Sequence, residues 1–113
     1  MSLRLPKIIL QDMVDAVGKA RLFTTDLSFE DYVVDAKTRD AVYHNLIVLG
    51  EAAGRMPELF VLDHPDIPWQ KMMSTRNALV HGYDVIDNRI VWKILRDVLP
   101  ELHENLKRLL NES

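Results

Sequence analysis

Apolar residues recur at helical spacing along almost the whole chain. Between residues 6 and 22 the spacing of three to four predicts an amphipathic helix. Between residues 38 and 56 apolar positions cover most sides, which is typical of a helix buried on most sides. Two further helices are predicted, at 69–81 and from about 88 to 111, and no segment alternates with the period of a strand. The pattern therefore predicts an all-α bundle of four main helices.

Capping residues, glycine and proline mark the predicted ends of these helices. Ser28 with Asp31 three residues later has the form of a capping box, and Asp87 is a suitable N-cap for the last helix. Three prolines between 57 and 68 predict a loop that has room for one turn of helix. Gly82 is expected to end the 69–81 helix, and Pro100 to kink or interrupt the last one.

Small residues in the second long helix predict a close helix–helix contact. Gly50, Ala53 and Gly54 would let a neighbouring helix approach its backbone. Glu51 interrupts the same apolar surface. It has two readings: a buried carboxylate that is hydrogen-bonded to another helix, which is the favoured one, or a catalytic group.

Composition limits the possible classes of protein. The 113 residues, 48% apolar, suffice for one domain, which we place at 1–113. Cysteine is absent, which excludes thiolate catalysis and agrees with a cytoplasmic location. No apolar run is long enough to cross a membrane. The net charge is −3, yet residues 69–96 carry five basic against two acidic groups, so a local contact with a polyanion is feasible.

This basic segment contains the stretch RNALVHGY, residues 76–83. At 100° per residue Arg76 and Tyr83 lie within about 20° of each other, whereas Arg76 and His81 are about 140° apart. Asn77 and His81 are four residues apart, so the Asn77 amide is positioned to orient the imidazole. Near the helix end, His81 is expected to be accessible.

These residue types suit one reaction in particular. Cleavage of RNA through its own 2′-hydroxyl needs neither a metal nor a cofactor. It needs an acid or base that titrates near pH 7, as histidine does, and a fixed cation for the phosphate charge, as arginine is. From spacing alone, a structural or capping role for these side chains remains the alternative.

The stretch RNALVHGY resembles the Arg-Asn-x-x-x-His-x-Tyr signature of the HepT-like branch of the HEPN superfamily. DAVYHNLIVLGEAAGRM is similar to that family's central helix, and IPWQKMMSTRNALVHGYDVIDNRIVWKIL to its signature helix with the segments on either side. The resemblance implies a four- to five-helix up-and-down bundle that forms a homodimer. It further implies a toxin in a type VII-like pair with a minimal nucleotidyltransferase antitoxin.

Residue roles follow from the resemblance. It implies a metal-independent endoribonuclease whose catalytic residues, Arg76 and His81, face a cleft between two protomers, with Asn77 as polar support. Tyr83 matches the tyrosine that receives AMP from the partner nucleotidyltransferase, which silences the toxin. His44 with Asn45 replaces a common Arg–Asn pair, and Gly82 a common Glu. A non-catalytic helical module that binds nucleotides or docks a nucleotidyltransferase is the alternative.

Overall fold

The structure, a computed structural model, describes residues 4–112, except for the side chains of Arg4 and Tyr83. Over this range the chain is helical and contains no strand, which confirms the predicted all-α class. None of the helices in residues 4–112 is both long and apolar enough to cross a membrane. The elements are α1 (Arg4–Thr24), α2 (Phe29–Val34), α3 (Ala36–Arg55), α4 (Glu58–Asp63), α5 (Trp69–Gly82), a 3-10 turn (Tyr83–Val85), α6 (Asn88–Lys93), a π-helical turn (Ile94–Val98) and α7 (Leu99–Glu112).

Four helical rods make up the bundle: α1, α3, α5 and the nearly continuous α6–α7. Helix α1 packs against α3 and α7, and α3 also packs against α5. The apolar face predicted for α1 lies in the core, where its members are buried: Ile9, Met13, Ala16, Val17 and Ala20. The corresponding stripe of α3 is also buried, at Val42, Leu46, Leu49, Ala53 and Met56.

Local capping fixes the helix ends close to the predicted positions. The Asp31 N–H donates to Ser28 Oγ at 3.1 Å, and the Ser28 N–H donates to the Asp31 carboxylate at 3.2 Å, which completes the capping box. Asp87 accepts a hydrogen bond from the Arg89 N–H at 2.9 Å and so caps α6. Helix α5 ends at Gly82, as predicted.

The interruption expected at Pro100 takes the form of a π-helical turn. Proline has no N–H to continue the α-helical ladder. Immediately before it, the Leu99 N–H donates to the carbonyl oxygen of Ile94, five residues back, so the helix widens by one residue. Helix α7 then continues with Leu102, Leu106 and Leu109 buried.

Helix α5 packs chiefly on α3, and a groove of about 390 Å³ separates it from α6–α7. Leu46 and Leu49 of α3 are among the apolar residues that line the groove, and the exposed Lys71 and Lys93 are the charged ones. The position of α5, and of every residue in RNALVHGY that the structure describes, is therefore set mainly by its contact with α3.

Candidate active site

Helices α3 and α5 meet most closely at Gly50 and Arg76. A Cβ atom placed on Gly50 would lie 2.3 Å from Arg76 Cβ and 2.6 Å from the backbone oxygen of Met72. No other residue type fits these distances without a shift of one helix. The close approach predicted from Gly50 is confirmed, and α5 is the helix that makes it.

The contact with Gly50 aims the Arg76 side chain into a cleft between the two helices. Its Nη1 donates to Asn77 Oδ1 at 2.9 Å, and its Nη2 lies 3.4 Å from Glu51 Oε1. Its Nε is buried and, within residues 4–112, has no hydrogen-bond partner. The guanidinium group is thus held at both terminal nitrogens.

Glu51 corrects one expectation. The favoured reading placed its carboxylate in the bundle interior, but the side chain is 48% exposed. It does contact another helix, through Arg76. The reason is its place on α3: Gly50 faces α5 directly, so the next residue, about 100° around the helix, lies at the solvent edge of the contact.

The cleft has a volume of about 420 Å³ and a mixed lining. Its basic groups are Arg55 and Arg76, and each is paired with a carboxylate: Arg55 with Asp12 at 3.7 Å and Arg76 with Glu51 at 3.4 Å. Both guanidinium groups keep further N–H bonds that can bind an anion. One helical turn further along the same helices lies a second depression of about 360 Å³. It is lined by Asp40, Tyr43, His44, Ile47, Leu79 and Val80. Together they form one furrow along α3 and α5, which we call the α3–α5 furrow.

His81 lies in the last turn of α5 and is exposed, as expected. It lies on a different side of α5 from Arg76. Arg76 faces α3, whereas His81 is about 140° further around the helix, on the outer side of α5. Within residues 4–112 no hydrogen bond joins the two side chains, so a single chain does not bring both groups to one point.

Asn77 supports Arg76 rather than His81. Helical spacing predicted a contact between the Asn77 amide and the imidazole four residues later. The Asn77 oxygen instead accepts from the neighbouring guanidinium, because the long arginine side chain can fold back over its own helix. Among the described residues, Asn77 is therefore a polar support of Arg76 and not of His81.

One cleft residue was not singled out from the sequence, Arg55. A signal for it was present: residues 50, 51, 54 and 55 share one side of a helix at spacings of three to four. Met73, four residues before Asn77, continues the stripe of Asn77 and His81 in the sequence, and it lines the cleft beside Asn77.

The remaining predicted residue, Tyr83, begins the 3-10 turn that follows α5. Its side chain lies outside the described part of the structure, so its role stays a prediction. Within residues 4–112 no group of three or more His, Asp or Glu side chains has the arrangement of a metal site.

Comparisons with known proteins identify the family of the chain. Residues 13–109 match the family described as ribonuclease HepT-like. A protein of Thermococcus cleftensis named as a probable ribonuclease HepT is 36% identical over 103 residues, which is 91% of this chain and 94% of that protein. A protein of Methanocaldococcus jannaschii, named provisionally as an RNase, is 33% identical over 92% of this chain and 83% of its own length.

A third relative, from Caldanaerobacter subterraneus subsp. tengcongensis, is also named provisionally as an RNase. It is 33% identical over 76% of this chain and 77% of its own length. No solved structure is significantly similar to the chain. The resemblance inferred from RNALVHGY is confirmed by the family match, which spans α3, α5 and the segment between them. The chain belongs to the ribonuclease HepT-like family.

Proposed function

We propose that this chain is a metal-independent endoribonuclease and the toxin subunit of a pair with a minimal nucleotidyltransferase. The observation that carries the proposal is the guanidinium group of Arg76, held by Asn77 and Glu51 at the wall of a cleft that is also lined by Arg55. An arginine held in this way is suited to bind a phosphate group through two parallel hydrogen bonds. Relatives named as ribonucleases support RNA as the source of that phosphate.

In the proposed reaction the 2′-hydroxyl oxygen of RNA attacks the adjacent phosphorus, and the bond from phosphorus to the 5′ oxygen breaks. The hydroxyl proton goes to a base, and the leaving 5′ oxygen receives a proton from an acid. His81 in its neutral form serves as the base, and in its protonated form as the acid, which is typically worth about 10² to 10⁴ in rate. Arg76 stabilises the charge that develops on the phosphorus oxygens.

A homodimer would bring the two groups together. Because Arg76 and His81 point about 140° apart on α5, a cleft shared by two protomers combines them more readily than one helix does. The α3–α5 furrow is suited to this interface. Beside Arg76 it presents partly buried Ile47 and Met73, and Val80 that is 40% exposed. Pairing on this furrow would cover apolar surface and enclose the cleft.

The test is cleavage of a fluorescently labelled RNA by the purified protein in buffer that contains a chelator. We expect cleavage by the native chain and none by His81→Ala, with both proteins folded and equal in sedimentation. His64→Gln is the matched control, because His64 lies after α4 and stacks on Phe60, away from the cleft. Intact RNA with the native chain would overturn the ribonuclease proposal.

The alternative is a non-catalytic module that binds a nucleotide or docks a nucleotidyltransferase. Its motivating observation is the same cleft, where Arg55 and Arg76 would bind a phosphate group without any cleavage of RNA. It predicts RNA binding that is weakened by Arg76→Ala and unchanged by His81→Ala, with no cleavage in either case.

A further inference from the structure

In the proposed reaction Glu51 neither transfers a proton nor contacts the phosphate. Its carboxylate lies 3.4 Å from Arg76 Nη2, while Asn77 takes a hydrogen bond from Nη1. Each terminal nitrogen of a guanidinium group carries two N–H bonds. Since each uses one on a protein partner, one N–H remains on each nitrogen for a substrate oxygen.

The stem of Arg76 is fixed as well. A Cβ atom on Gly50 would fall 2.3 Å from Arg76 Cβ and 3.1 Å from its Cγ, so the arginine's first two side-chain carbons lie directly over the glycine. The remaining freedom of the side chain is in its outer torsions. Glu51 and Asn77 are the partners that can restrict those torsions among the described residues.

The Glu51–Arg76 pair is poorly placed to stabilise the fold. The Glu51 side chain is 48% exposed and that of Arg76 32%, and ion pairs with such access to water contribute little to folding stability. A carboxylate also repels the phosphate that Arg76 is proposed to bind. A role in orienting the guanidinium group therefore explains the carboxylate beside Arg76 better than a contribution to folding stability or to affinity for RNA.

We propose that Glu51 is a positioning residue for Arg76: it holds the guanidinium plane so that the two free N–H bonds meet a substrate phosphate already aligned. This inference rests on the proposed ribonuclease function. Alignment of this kind raises the rate of the chemical step, and displacement of such a group by about 1 Å can cost up to about 10²-fold. The negative charge of Glu51 is not itself required, only its hydrogen-bond acceptor.

The acceptor requirement gives a test with a conservative variant. Glu51→Gln keeps an oxygen that accepts from Nη2, so we expect its kcat to stay within about threefold of the native value, with a lower KM because the repulsion is gone. Glu51→Ala removes the acceptor as well as the charge, so KM should fall as in Glu51→Gln while kcat falls roughly tenfold. Glu104→Ala, which breaks an exposed ion pair with Lys107 on α7, is the matched control.

A double-mutant cycle shows whether Glu51 acts through Arg76. In an Arg76→Lys background, measured in single-turnover reactions with excess enzyme, Glu51→Ala should cost nothing further. Loss of activity in Glu51→Gln as complete as in Glu51→Ala would overturn the proposal, because the carboxylate would then be an acid or base. An undiminished cost in the Arg76→Lys background would overturn it too.

Nitrogen-15 NMR of the arginine side chains provides a measurement that is independent of activity. In the native chain, slow rotation about the Nε–Cζ bond of Arg76 should give separate Nη signals, and Glu51→Ala should merge them. Unchanged signals would overturn the positioning role whether or not RNA is cleaved. Merged signals, in a protein whose native form leaves RNA intact, would instead mean that the ribonuclease function fails while Glu51 still orders Arg76.

Discussion

Gly50 of α3 and Arg76 of α5 lie so close together that no side chain fits between them, because a Cβ on the glycine would be 2.3 Å from that of the arginine. The nearest backbone atom, the oxygen of Met72, would be 2.6 Å away and cannot rotate aside. Arg76, the residue proposed to bind phosphate, therefore packs directly on a glycine, and the two helices cannot be separated without moving Arg76.

Gly50→Ala is expected to destabilise the fold and impair the site together. Overpacking at such a contact typically costs about 1–3 kcal/mol, and the shift of α5 should lower RNA cleavage roughly tenfold or more. Chemical unfolding and the chelated RNA assay measure the two effects.

Gly18→Ala on α1 is the matched control for that experiment. The added Cβ would be 3.6 Å from His103, an ordinary contact, so higher helix propensity should stabilise the protein by about 0.5–1 kcal/mol. Equal effects of the two glycine substitutions would contradict the importance of the Gly50–Arg76 contact.

Arg76→Lys is expected not to support activity although it keeps the positive charge. A lysine ammonium cannot reproduce the planar pair of donors, and it cannot contact Asn77, Glu51 and a phosphate in the same geometry. We expect RNA cleavage to fall by about 10²-fold or more with folding nearly unchanged. Arg89→Lys is the control, because Arg89 is 79% exposed on α6 and pairs with Asp87. Native rates in Arg76→Lys would mean that Arg76 serves only as a general cation.

Val80→Glu should separate the proposed dimer without unfolding the monomer. Val80 is 40% exposed in the α3–α5 furrow, so a carboxylate there is tolerated in a monomer but would be buried unpaired in an interface. A loss of about 3 kcal/mol corresponds to roughly 100-fold weaker association. Sedimentation at micromolar concentration measures it. Val34→Glu, at a site on α2 that is 81% exposed, should leave the dimer intact. A native chain that sediments as a monomer would refute the shared cleft.

His103 predicts a pH dependence of stability. It lies on α7, and its Nδ1 is 2.8 Å from Arg21 Nη1, so a neutral ring accepts a hydrogen bond from the guanidinium. Burial, followed by the charges of Lys107 and Arg21, lowers the pKa of His103 below 6.5, against a smaller opposite effect of Glu104. The unfolded chain therefore takes up a proton first as the pH falls. The contribution of neutral His103 to the free energy of unfolding is therefore complete above pH 6.5. It is lost as the pH falls through the pKa that His103 has in the folded chain.

Urea unfolding between pH about 5 and 7.5 checks this dependence. His103→Gln keeps an acceptor for Arg21 but does not titrate, so its stability should vary less over the same range. The carboxylate of Asp35, which caps α3, does not titrate over this pH range. Hydrogen bonds from Thr38 lower the pKa of Asp35, so its effect on stability is lost only in more acidic solutions. An equal slope in the native chain and His103→Gln would contradict the assignment.

Tyr83 is predicted to be the site at which the toxin is silenced. A minimal nucleotidyltransferase would transfer AMP from ATP to the tyrosine oxygen, with release of pyrophosphate and loss of the phenolic proton. We expect an AMP group attached to this tyrosine to neutralise the guanidinium of Arg76 and to occupy the phosphate position. A phenol with a pKa near 10 is poorly suited to acid–base catalysis at pH 7, which favours this regulatory role.

Mass spectrometry after incubation with ATP, magnesium and the cognate nucleotidyltransferase tests the modification. The native chain should gain the mass of AMP and lose RNA cleavage, whereas Tyr83→Phe should gain no mass and stay active. An equal gain of mass in Tyr83→Phe would place the modification elsewhere.

The sequence by itself determined the features that depend on neighbours along the chain. Helix periodicity, the reciprocal cap of Ser28 and Asp31, the cap at Asp87 and the end of α5 at Gly82 all rest on residues within one or two turns of each other. The motif RNALVHGY also indicated the family, because its residue types and spacing are specific.

Only the tertiary structure decided what surrounds Arg76. Gly50 predicted a close contact, yet which helix would make it depends on the packing of segments 26 residues apart in the chain. Glu51 was expected in the interior and lies at the edge, and Asn77 was expected to hold His81 and holds Arg76. For Gly50 and Glu51 the rotation and offset of α5 against α3 decided the partner, and no local spacing rule contains those two quantities. Asn77 contacts its neighbour on α5 because the arginine side chain folds back over its own helix.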